Sequence, residues 1–310
     1  MRDPVIILSP PHSFTSVVGT MLGQHPQMYG LPEINLFLAE TMREREGLIA
    51  GLGWCQQGLL RVVAQLFMGQ QTVETIARAQ RWVDSMATRT CISVFRELAE
   101  KVSPRILVDK SPRTTMHSEY LQRARRAFPS AKFIHLLRHP SSYRESMRKR
   151  TSFALDRRST FRKNAAIRRG MAGVPVRPLR TLDGMRMWYT RNMNIVTFLD
   201  GLPESQKMRI RGEDLLSEPD TYLQQIAEWL GVRTDAEAIE AMKHPEQSPY
   251  ACIGPENAPH GNNSGFLNAP TLRPFSPAQK LKLAGAMSRR DNGSGFSPEL
   301  KELAREFGYS

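Results

Sequence analysis

Short apolar runs alternate with longer helical patterns along this chain, and that alternation constrains the fold more than any other feature. Four runs are apolar and bounded by proline or charged residues, as buried parallel strands are: Val5–Ser9, Arg105–Asp109, Lys132–Leu137 and Met208–Ile210. Strands that alternate with helices predict a parallel sheet covered by helices on both faces. We therefore expect an α/β fold.

The helical patterns have well-marked boundaries. Pro140 suits the first turn of a helix, and Gly231 suits the end of one. Helices are expected at about Ser13–Leu22, Thr114–Ala127, Pro140–Arg150 and Pro219–Leu230, with longer ones at Gln56–Met68, Thr72–Lys101 and Thr181–Leu199. Two short helices, about Pro277–Met287 and Pro298–Phe307, are expected to close the chain.

The length of the chain fits one large α/β domain or two small ones. A chain of 310 residues, 40% hydrophobic and 24% charged, can bury a sizeable core. No stretch reads as a linker, so we predict a single domain over residues 1–310. It carries a basic insert at about 150–180 and a loop rich in Gly, Asn and Pro at 252–277. Ordered loops of that length are usually functional.

No apolar run approaches the roughly 20 residues that a membrane-spanning helix needs. The first apolar stretch stops at Pro10 and Pro11, which favours a buried strand over a signal peptide. The 3 cysteines are widely spaced, so they predict neither a disulfide framework nor a metal cluster. We expect a cytoplasmic protein without a bound metal.

The net charge of +13 is unevenly distributed. Between Arg138 and Arg180, thirteen basic residues face two acidic ones, which leaves +11 in that segment. Most such side chains belong to a solvated basic loop, but the same charge can attract a polyanionic ligand or an acidic partner. The segment matches no nucleic-acid-binding motif, so nucleic acid is not expected.

Residues that could bind an anion follow the predicted strands, and ligands bind parallel sheets at their carboxyl ends. The loop SPPHSFTS, residues 9–16, offers the hydroxyls of Ser13, Thr15 and Ser16 at the start of a helix. These suit a phosphate or sulfate group, although Ser and Thr are also ordinary helix caps. The loop has no G-K-[ST], so it is not a Walker A loop.

Three more motifs lie at strand ends. In VDKSPR, Lys110 either meets a transferring group or pairs with Asp109. In FIHLLRHPSSYRESM, Arg138 and Ser146 are placed to hold one phosphate from two sides. In MRIRGEDLLSEP, two acids, Glu213 and Asp214, begin a helix, where a structural role is expected.

Together, and in this order, the four motifs resemble those of sulfotransferases that use 3′-phosphoadenosine 5′-phosphosulfate (PAPS). That family has a P-R-S-G-[ST]-T loop, a D-K-[ST]-P segment, an R-x-P-x₅-S site and a [RY]-Y-E-D-L strand end. The match runs from about Val5 to Leu230, and residues 9–37 are most similar to bacterial and polyketide-synthase-type sulfotransferases. The resemblance implies a P-loop-kinase-like fold, a central parallel sheet between helices.

The resemblance also implies roles for individual residues. The donor's 5′-phosphosulfate would be held by His12, Ser13, Phe14, Thr15 and Ser16, and its 3′-phosphate by Arg138 and Ser146. Lys110 would lie near the acceptor. Glu33, after a strand-like MYGL, matches the residue that such relatives use as general base, although it could instead be a helix cap or a surface acid. His12 is the competing base, and His260 is the histidine that a closing loop would bring to the acceptor.

The chain departs from the family pattern at three positions. His12 replaces a loop Arg or Lys, Phe14 replaces the loop glycine, and Gly212 replaces a Tyr near the adenine. A side chain in a left-handed conformation costs roughly 1–2 kcal/mol, so the loop is either differently shaped or strained. A repurposed or non-catalytic nucleotide-binding homologue therefore remains an alternative. A nucleotide kinase is another, which the missing G-K-[ST] disfavours.

The function that the resemblance implies is sulfuryl transfer from PAPS to a hydroxyl of a small-molecule or carrier-tethered acceptor, typical of secondary metabolism. Such transfer depends on positioning and charge stabilisation, so fixed cations and amides can suffice without a metal. Protonated His12 would add to that charge. The basic segment Arg157–Arg169 would attract an acidic carrier protein or a polyanionic acceptor to the site.

Overall fold

The structure, a computed structural model, describes residues 2–52, 54–148, 184–275, 283 and 296–310. Its strands are β1 Val5–Leu8, β2 Met28–Gly30, β3 Ile106–Asp109, β4 Lys132–Leu137 and β5 Lys207–Arg211. The helices from the first half of the chain are α1 Thr15–Gly23, α2 Met42–Ile49, α3 Trp54–Met68, α4 Val73–Ser85, α5 Cys91–Val102, α6 Ser118–Ala127 and α7, residues 140–148. The later helices are α8 Gly184–Asp200, α9 Gly212–Ser217, α10 Pro219–Leu230, α11 Ala236–Met242, α12 Ser264–Asn268 and α13 Pro298–Glu306.

The five strands form one parallel sheet in the order β2-β3-β1-β4-β5. Strand β1 lies at its centre, where Val5 is in register with Val108 of β3 and with Lys132 of β4. All four predicted strands are present, and the short MYGL segment adds β2 at one edge. The predicted α/β fold with a parallel sheet is confirmed.

Alternate residues of β1 enter two different cores. Val5 and Ile7 pack with buried residues of α1 and α10, whereas Ile6 and Leu8 pack with those of α3 and α5. Side chains of a strand alternate between faces, so the two cores lie on opposite sides of the sheet. Burial on both faces explains why β1 reads as an unbroken apolar run.

The parallel arrangement brings the loops that follow the strands to one edge of the sheet. The loop 9–16 follows β1, Lys110 follows β3, Arg138 follows β4 and Gly212 follows β5. The four motifs of the sequence therefore share the carboxyl edge.

Several predicted boundaries were wrong. The single helix predicted over Thr72–Lys101 is two helices, α4 and α5. Residues 86–90 leave the helix because the carbonyls of Ala87 and Arg89 accept hydrogen bonds from the start of α2, both at 3.0 Å, and Thr90 then caps α5. The helix predicted from Thr114 starts instead with a 3₁₀ turn, Pro112–Met116.

The predicted loop 252–277 contains the short helix α12. Gly231, in the left-handed conformation at φ 66°, ends α10, as predicted. The basic insert lies outside the described residues, and so does the helix predicted over Pro277–Met287 except for Leu283.

The chain divides into two compact units. One comprises Met1–Arg138 and Arg191–Gln279 and contains the whole sheet. The other comprises His139–Thr190 and Lys280–Ser310; within it Trp188 is buried 6.0 Å from Phe307, and His139 contacts Tyr309 at 4.9 Å between ring centroids. The single domain over residues 1–310 stays a prediction. Within the described ranges, no helix combines the length and apolarity needed to cross a membrane.

Candidate functional site

The loop between β1 and α1 presents polar groups at a helix N-terminus. Ser13, Thr15 and Ser16 are all buried, and the first amides of α1 have no partner within the helix. The Oγ of Ser13 is buried with no hydrogen-bond partner among the described residues. Partial positive charge at a helix start attracts anions. The loop therefore has the chemistry of an anion site.

Phe14 adopts the backbone conformation expected of glycine. Its φ is 61°, and that of His12 is 68°, so both lie in the left-handed region. The sequence left open whether this loop is differently shaped or strained, and the positive φ angles show that it is strained. The Phe14 ring occupies the space in front of Gly212, where an added Cβ would lie 2.4 Å from Cδ2 of the ring. The two departures from the family pattern at positions 14 and 212 thus meet in space.

Arg138 lies against the same loop. Its guanidinium carbon is 4.3 Å from the centroid of the Phe14 ring, and its Nη1 donates a hydrogen bond to the backbone carbonyl of His12 at 2.5 Å. The strand β4 ends just before Arg138, which sets the direction of the side chain. The predicted phosphate-binding arginine is therefore beside the predicted phosphate-binding loop.

Lys110 is fully buried and extends over α1. Gly19 makes room for it, because a Cβ there would lie 2.7 Å from Cγ of the lysine. Its Nζ is 3.5 Å from Oγ of Ser16 and 3.7 Å from Oε1 of Glu33. Burial lowers the pKa of Lys110, and the Glu33 carboxylate opposes that effect. The lysine thus connects the anion loop to the predicted base.

Asp109, the alternative partner of Lys110, is hydrogen-bonded to Ser111. Its two carboxylate oxygens accept hydrogen bonds from the hydroxyl of Ser111 at 2.9 Å and from the amide of Ser111 at 3.3 Å. Burial raises the pKa of Asp109 to about 6. Asp109 therefore organises the turn after β3, and the ion pair of Lys110 is made with Glu33.

Glu33 lies in a closely packed segment rather than at a helix start or on an open surface. Its amide donates to the carbonyl of Gly261 at 2.8 Å. Gly58 of α3 allows this approach, because a Cβ there would lie 2.0 Å from the carbonyl oxygen of Glu33. The side chain is 26% exposed and points to Lys110. Glu33 is therefore not a helix cap, and its partly exposed carboxylate is paired with a buried lysine.

Two buried groups fix the segment that carries Glu33. The amide of Asn35, a residue with φ 55°, donates to Oγ of Ser111 at 3.0 Å. The guanidinium of Arg45, buried in α2, donates to the carbonyl of Ile34 at 2.7 Å. Sequence reasoning missed both Ser111 and Arg45. The serine stands in the D-K-S-P motif and offered a signal, whereas nothing local marks Arg45 as buried.

The predicted functional loop, residues 252–277, reaches the site through the backbone of Gly261 and Asn263. The amide of Asn263 donates to Oγ of Ser16 at 3.0 Å, and Gly261 accepts from Glu33. Arg61, a buried residue of α3 that the sequence reasoning missed, donates to the carbonyls of Cys252 at 3.0 Å and His260 at 3.2 Å. The residue predicted to approach the acceptor, His260, is thereby anchored at its backbone.

Three further residues were singled out in the sequence, Ser146, Glu213 and Asp214. Ser146 is in α7, within the second compact unit, and its part in nucleotide binding stays a prediction. Glu213 is buried at the start of α9, and Asp214 pairs with Arg211 at 2.6 Å, which fits the structural role predicted for both acids. Across the described ranges, no group of three or more His, Cys, Asp or Glu could hold a metal ion.

Comparison with known proteins identifies the family. The model of the "Sulfotransferase family" matches residues 4–236, which span the sheet and every motif above. This chain belongs to the sulfotransferase family. Membership confirms the resemblance seen in the sequence and favours sulfuryl transfer over the kinase alternative.

Solved sulfotransferase structures share the fold. The sulfotransferase domain from the curacin biosynthetic pathway superposes with a TM-score of 0.74 at 24% identity, covering 100% of this chain and 99% of the other. The sulfotransferase domain from the Synechococcus PCC 7002 olefin synthase gives 0.74 at 24% identity, with 100% and 95% covered. A search of curated protein sequences found no significant match. At this identity the two structures establish the fold of this sulfotransferase-family chain.

Proposed function

We propose that this protein transfers a sulfuryl group from PAPS to a hydroxyl group of an acceptor. The observation that carries the proposal is the position of Lys110, whose Nζ lies 3.5 Å from Ser16 in the anion loop and 3.7 Å from Glu33. A buried cation beside an anion site can stabilise charge that develops during group transfer from an anionic donor, and the carboxylate next to it can accept a proton.

The residues of the loop fit an anionic donor. The unpartnered Oγ of Ser13, the free amides at the start of α1 and the neighbouring Arg138 supply hydrogen-bond donors and positive charge at one place. Arg138, together with Ser146, would hold the 3′-phosphate that distinguishes PAPS from an ordinary adenylate. PAPS supplies the activated sulfuryl group, and the chain supplies its orientation.

Lys110 and Glu33 would divide the chemistry between them. Glu33 accepts the proton of the acceptor hydroxyl while that oxygen forms its bond to sulfur. Lys110 and the loop amides stabilise the negative charge on the phosphate oxygen whose bond to sulfur breaks. Because the segment around Glu33 is held by Gly261, Ser111 and Arg45, its carboxylate needs little reorganisation.

The acceptor is a hydroxyl on a small molecule or on a chain tethered to a carrier protein. Two relatives of the same fold support this class, since one is named from the curacin biosynthetic pathway and the other from an olefin synthase. The high positive charge of the chain, +13, would favour an acidic carrier. We place the protein in secondary metabolism on this basis.

The test is incubation of the purified protein with ³⁵S-labelled PAPS and a metabolite extract of its native host. The expected result is a labelled product that forms far more slowly with the Glu33→Gln variant. Adenosine 3′,5′-bisphosphate binding without any label transfer would favour the non-catalytic homologue. A protein that binds no nucleotide in calorimetry would overturn the proposal.

A further inference from the structure

A strained residue with a large side chain stands at the entrance of α1. Phe14 has φ 61° and ψ 4° at the position before the helix, and its side chain makes no capping hydrogen bond. Glycine adopts this conformation without strain. Strained residues persist where surrounding structure holds them, and they cluster at functional sites. The contacts of the Phe14 ring show what the strain maintains.

The ring is held in one orientation. Gly212 leaves the space that the ring fills, since any side chain there would begin 2.4 Å from Cδ2. Phe275 meets the ring edge-on, with ring centroids 6.3 Å apart and an interplanar angle of 80°. Contacts from two separate segments of the chain therefore fix the direction of the Phe14 ring.

Arg138 rests on this ring. Its guanidinium carbon lies 4.3 Å from the ring centroid, within the range of a cation–π contact, and Nη1 donates to the carbonyl of His12. His12 and Phe14 thus hold the guanidinium of Arg138 together. His12 contributes its backbone carbonyl, and Phe14 contributes its aromatic face. A guanidinium stacked on a ring keeps its in-plane hydrogens directed outward at its edge.

We propose that Phe14 is a positioning residue for Arg138. Its ring, admitted by Gly212, orients the guanidinium at the anion loop before any nucleotide arrives. An arginine that is already ordered loses less side-chain entropy on binding, so the strain at Phe14 is offset by tighter binding. The inference rests on the proposed function, because it assigns Arg138 to a phosphate of the nucleotide.

If Phe14 had a purely structural role, its variants would behave differently. Phe14 also packs at the edge of the core that contains α1 and β1, so its ring could serve only as apolar filling. Phe14→Leu keeps an apolar side chain and removes the aromatic face, whereas Phe14→Tyr keeps the face. Phe67→Leu is the matched control, because it removes an aromatic face that carries a cation, Lys101 at 4.9 Å, beside the core on the other side of the sheet.

The experiment is calorimetry with adenosine 3′,5′-bisphosphate and with 5′-AMP. We expect Phe14→Leu to weaken binding of the bisphosphate roughly 2- to 30-fold, the range of a cation–π contact, and to affect 5′-AMP much less. In an Arg138→Ala background the same change should cause no further loss. Phe67→Leu should bind like the wild type, and Phe14→Tyr should keep more of the affinity for the bisphosphate than Phe14→Leu does. Equal losses with and without Arg138 would overturn the proposal.

A second readout needs no nucleotide. In NMR spectra of the free protein, the guanidinium signals of Arg138, assigned from Arg138→Ala, should show the ring-current shift of a stacked arginine. Phe14→Leu should abolish that shift. Wild-type signals like those of an exposed arginine would overturn the proposal even if Phe14→Leu fails to fold. If the shift is present but the wild type binds neither nucleotide, the proposed function fails and the stacking of Arg138 on Phe14 stands.

Discussion

The amino group of Lys110 lies 3.7 Å from a carboxylate oxygen of Glu33, and the lysine is buried whereas the glutamate is 26% exposed. The partly exposed partner is the one that an acceptor can reach. The buried partner is the one that also contacts the anion loop, through Ser16. This asymmetry supports the two roles that we propose, base for Glu33 and charge stabilisation for Lys110.

Glu33→Gln should lower kcat about 10²- to 10⁴-fold and leave nucleotide affinity nearly unchanged, because an amide of similar shape cannot accept the proton. His12→Arg restores the usual residue of the family and should preserve or raise activity. Initial rates and calorimetry on both variants test the assignment. A near-normal kcat for Glu33→Gln, beside an inactive His12→Arg, would assign the base to His12.

Gly58→Ala should displace the segment that carries Glu33, since the new methyl would lie 2.0 Å from the carbonyl oxygen of Glu33. We expect kcat to fall roughly 10- to 100-fold, as a shift of about 1 Å in a reacting group can cause. Thermal unfolding should show a loss of roughly 1–3 kcal/mol from overpacking.

The matched control for Gly58→Ala is Gly47→Ala in α2, where an added Cβ meets nothing within 4 Å. It should leave kcat unchanged and add up to about 1 kcal/mol of stability, the helix propensity difference between Ala and Gly. If both variants keep full activity, Glu33 does not depend on its contact with α3.

Arg61→Met should loosen the loop that supplies Gly261 and Asn263 to the site. The carbonyls of Cys252 and His260 would lose their donor, at a cost of roughly 1–3 kcal/mol in the free energy of unfolding. We expect kcat to fall roughly 10- to 100-fold as well, because the loop contacts both Glu33 and Ser16.

Arg123→Met provides the comparison for Arg61→Met. Arg123 is also buried, and it donates to the carbonyl of Phe37 and to Glu40 and Glu119 rather than to the loop. It should lower stability with a much smaller effect on kcat. Equal effects of the two changes on kcat, measured below their unfolding temperatures, would show that Arg61 has no special part in the site.

Asp109 should make stability depend on pH. Burial raises the pKa of its carboxyl from 3.8 to about 6, so the folded state holds this proton more tightly than the unfolded state. Its contribution is complete below about pH 4 and is lost as the pH rises through about 6, by roughly 3 kcal/mol at most. The test is urea unfolding of the wild type and of Asp109→Asn from pH 4 to pH 7. The free energy of unfolding of the wild type minus that of the variant should decrease as the pH rises. A flat difference would contradict the raised pKa.

Much of the fold could be predicted because the signals are local. The apolar runs ended at proline or charged residues and became β1, β3, β4 and β5, and Pro219 and Gly231 mark the ends of α10. The break between α4 and α5 carried no such signal. Thr90 suits a helix cap, but threonine also occurs inside helices, and only contacts with α2 show why the helix stops before it.

Some residues of the site could likewise be predicted from the sequence, and others could not. Residues in motifs at strand ends, such as Lys110 and Arg138, could be placed because a parallel sheet brings those ends together. Arg45, Gly58 and Arg61 could not, since their roles depend on contacts with segments distant in sequence. The strain at Phe14 could be predicted only in part. The sequence showed a large residue in place of glycine, but not that Gly212 would receive its ring.

The central position of β1 has a consequence for how the protein acquires activity during folding. Val5 pairs with Lys132, 127 positions later in the chain, and with Val108 on its other side. Pairings this far apart in sequence form slowly, because the chain must lose the entropy of closing a long loop before the strand contacts can stabilise it. A nascent chain therefore holds the entire anion loop 9–16 long before β4 exists to place Arg138 beside it. In refolding experiments, nucleotide binding should return later than helical content.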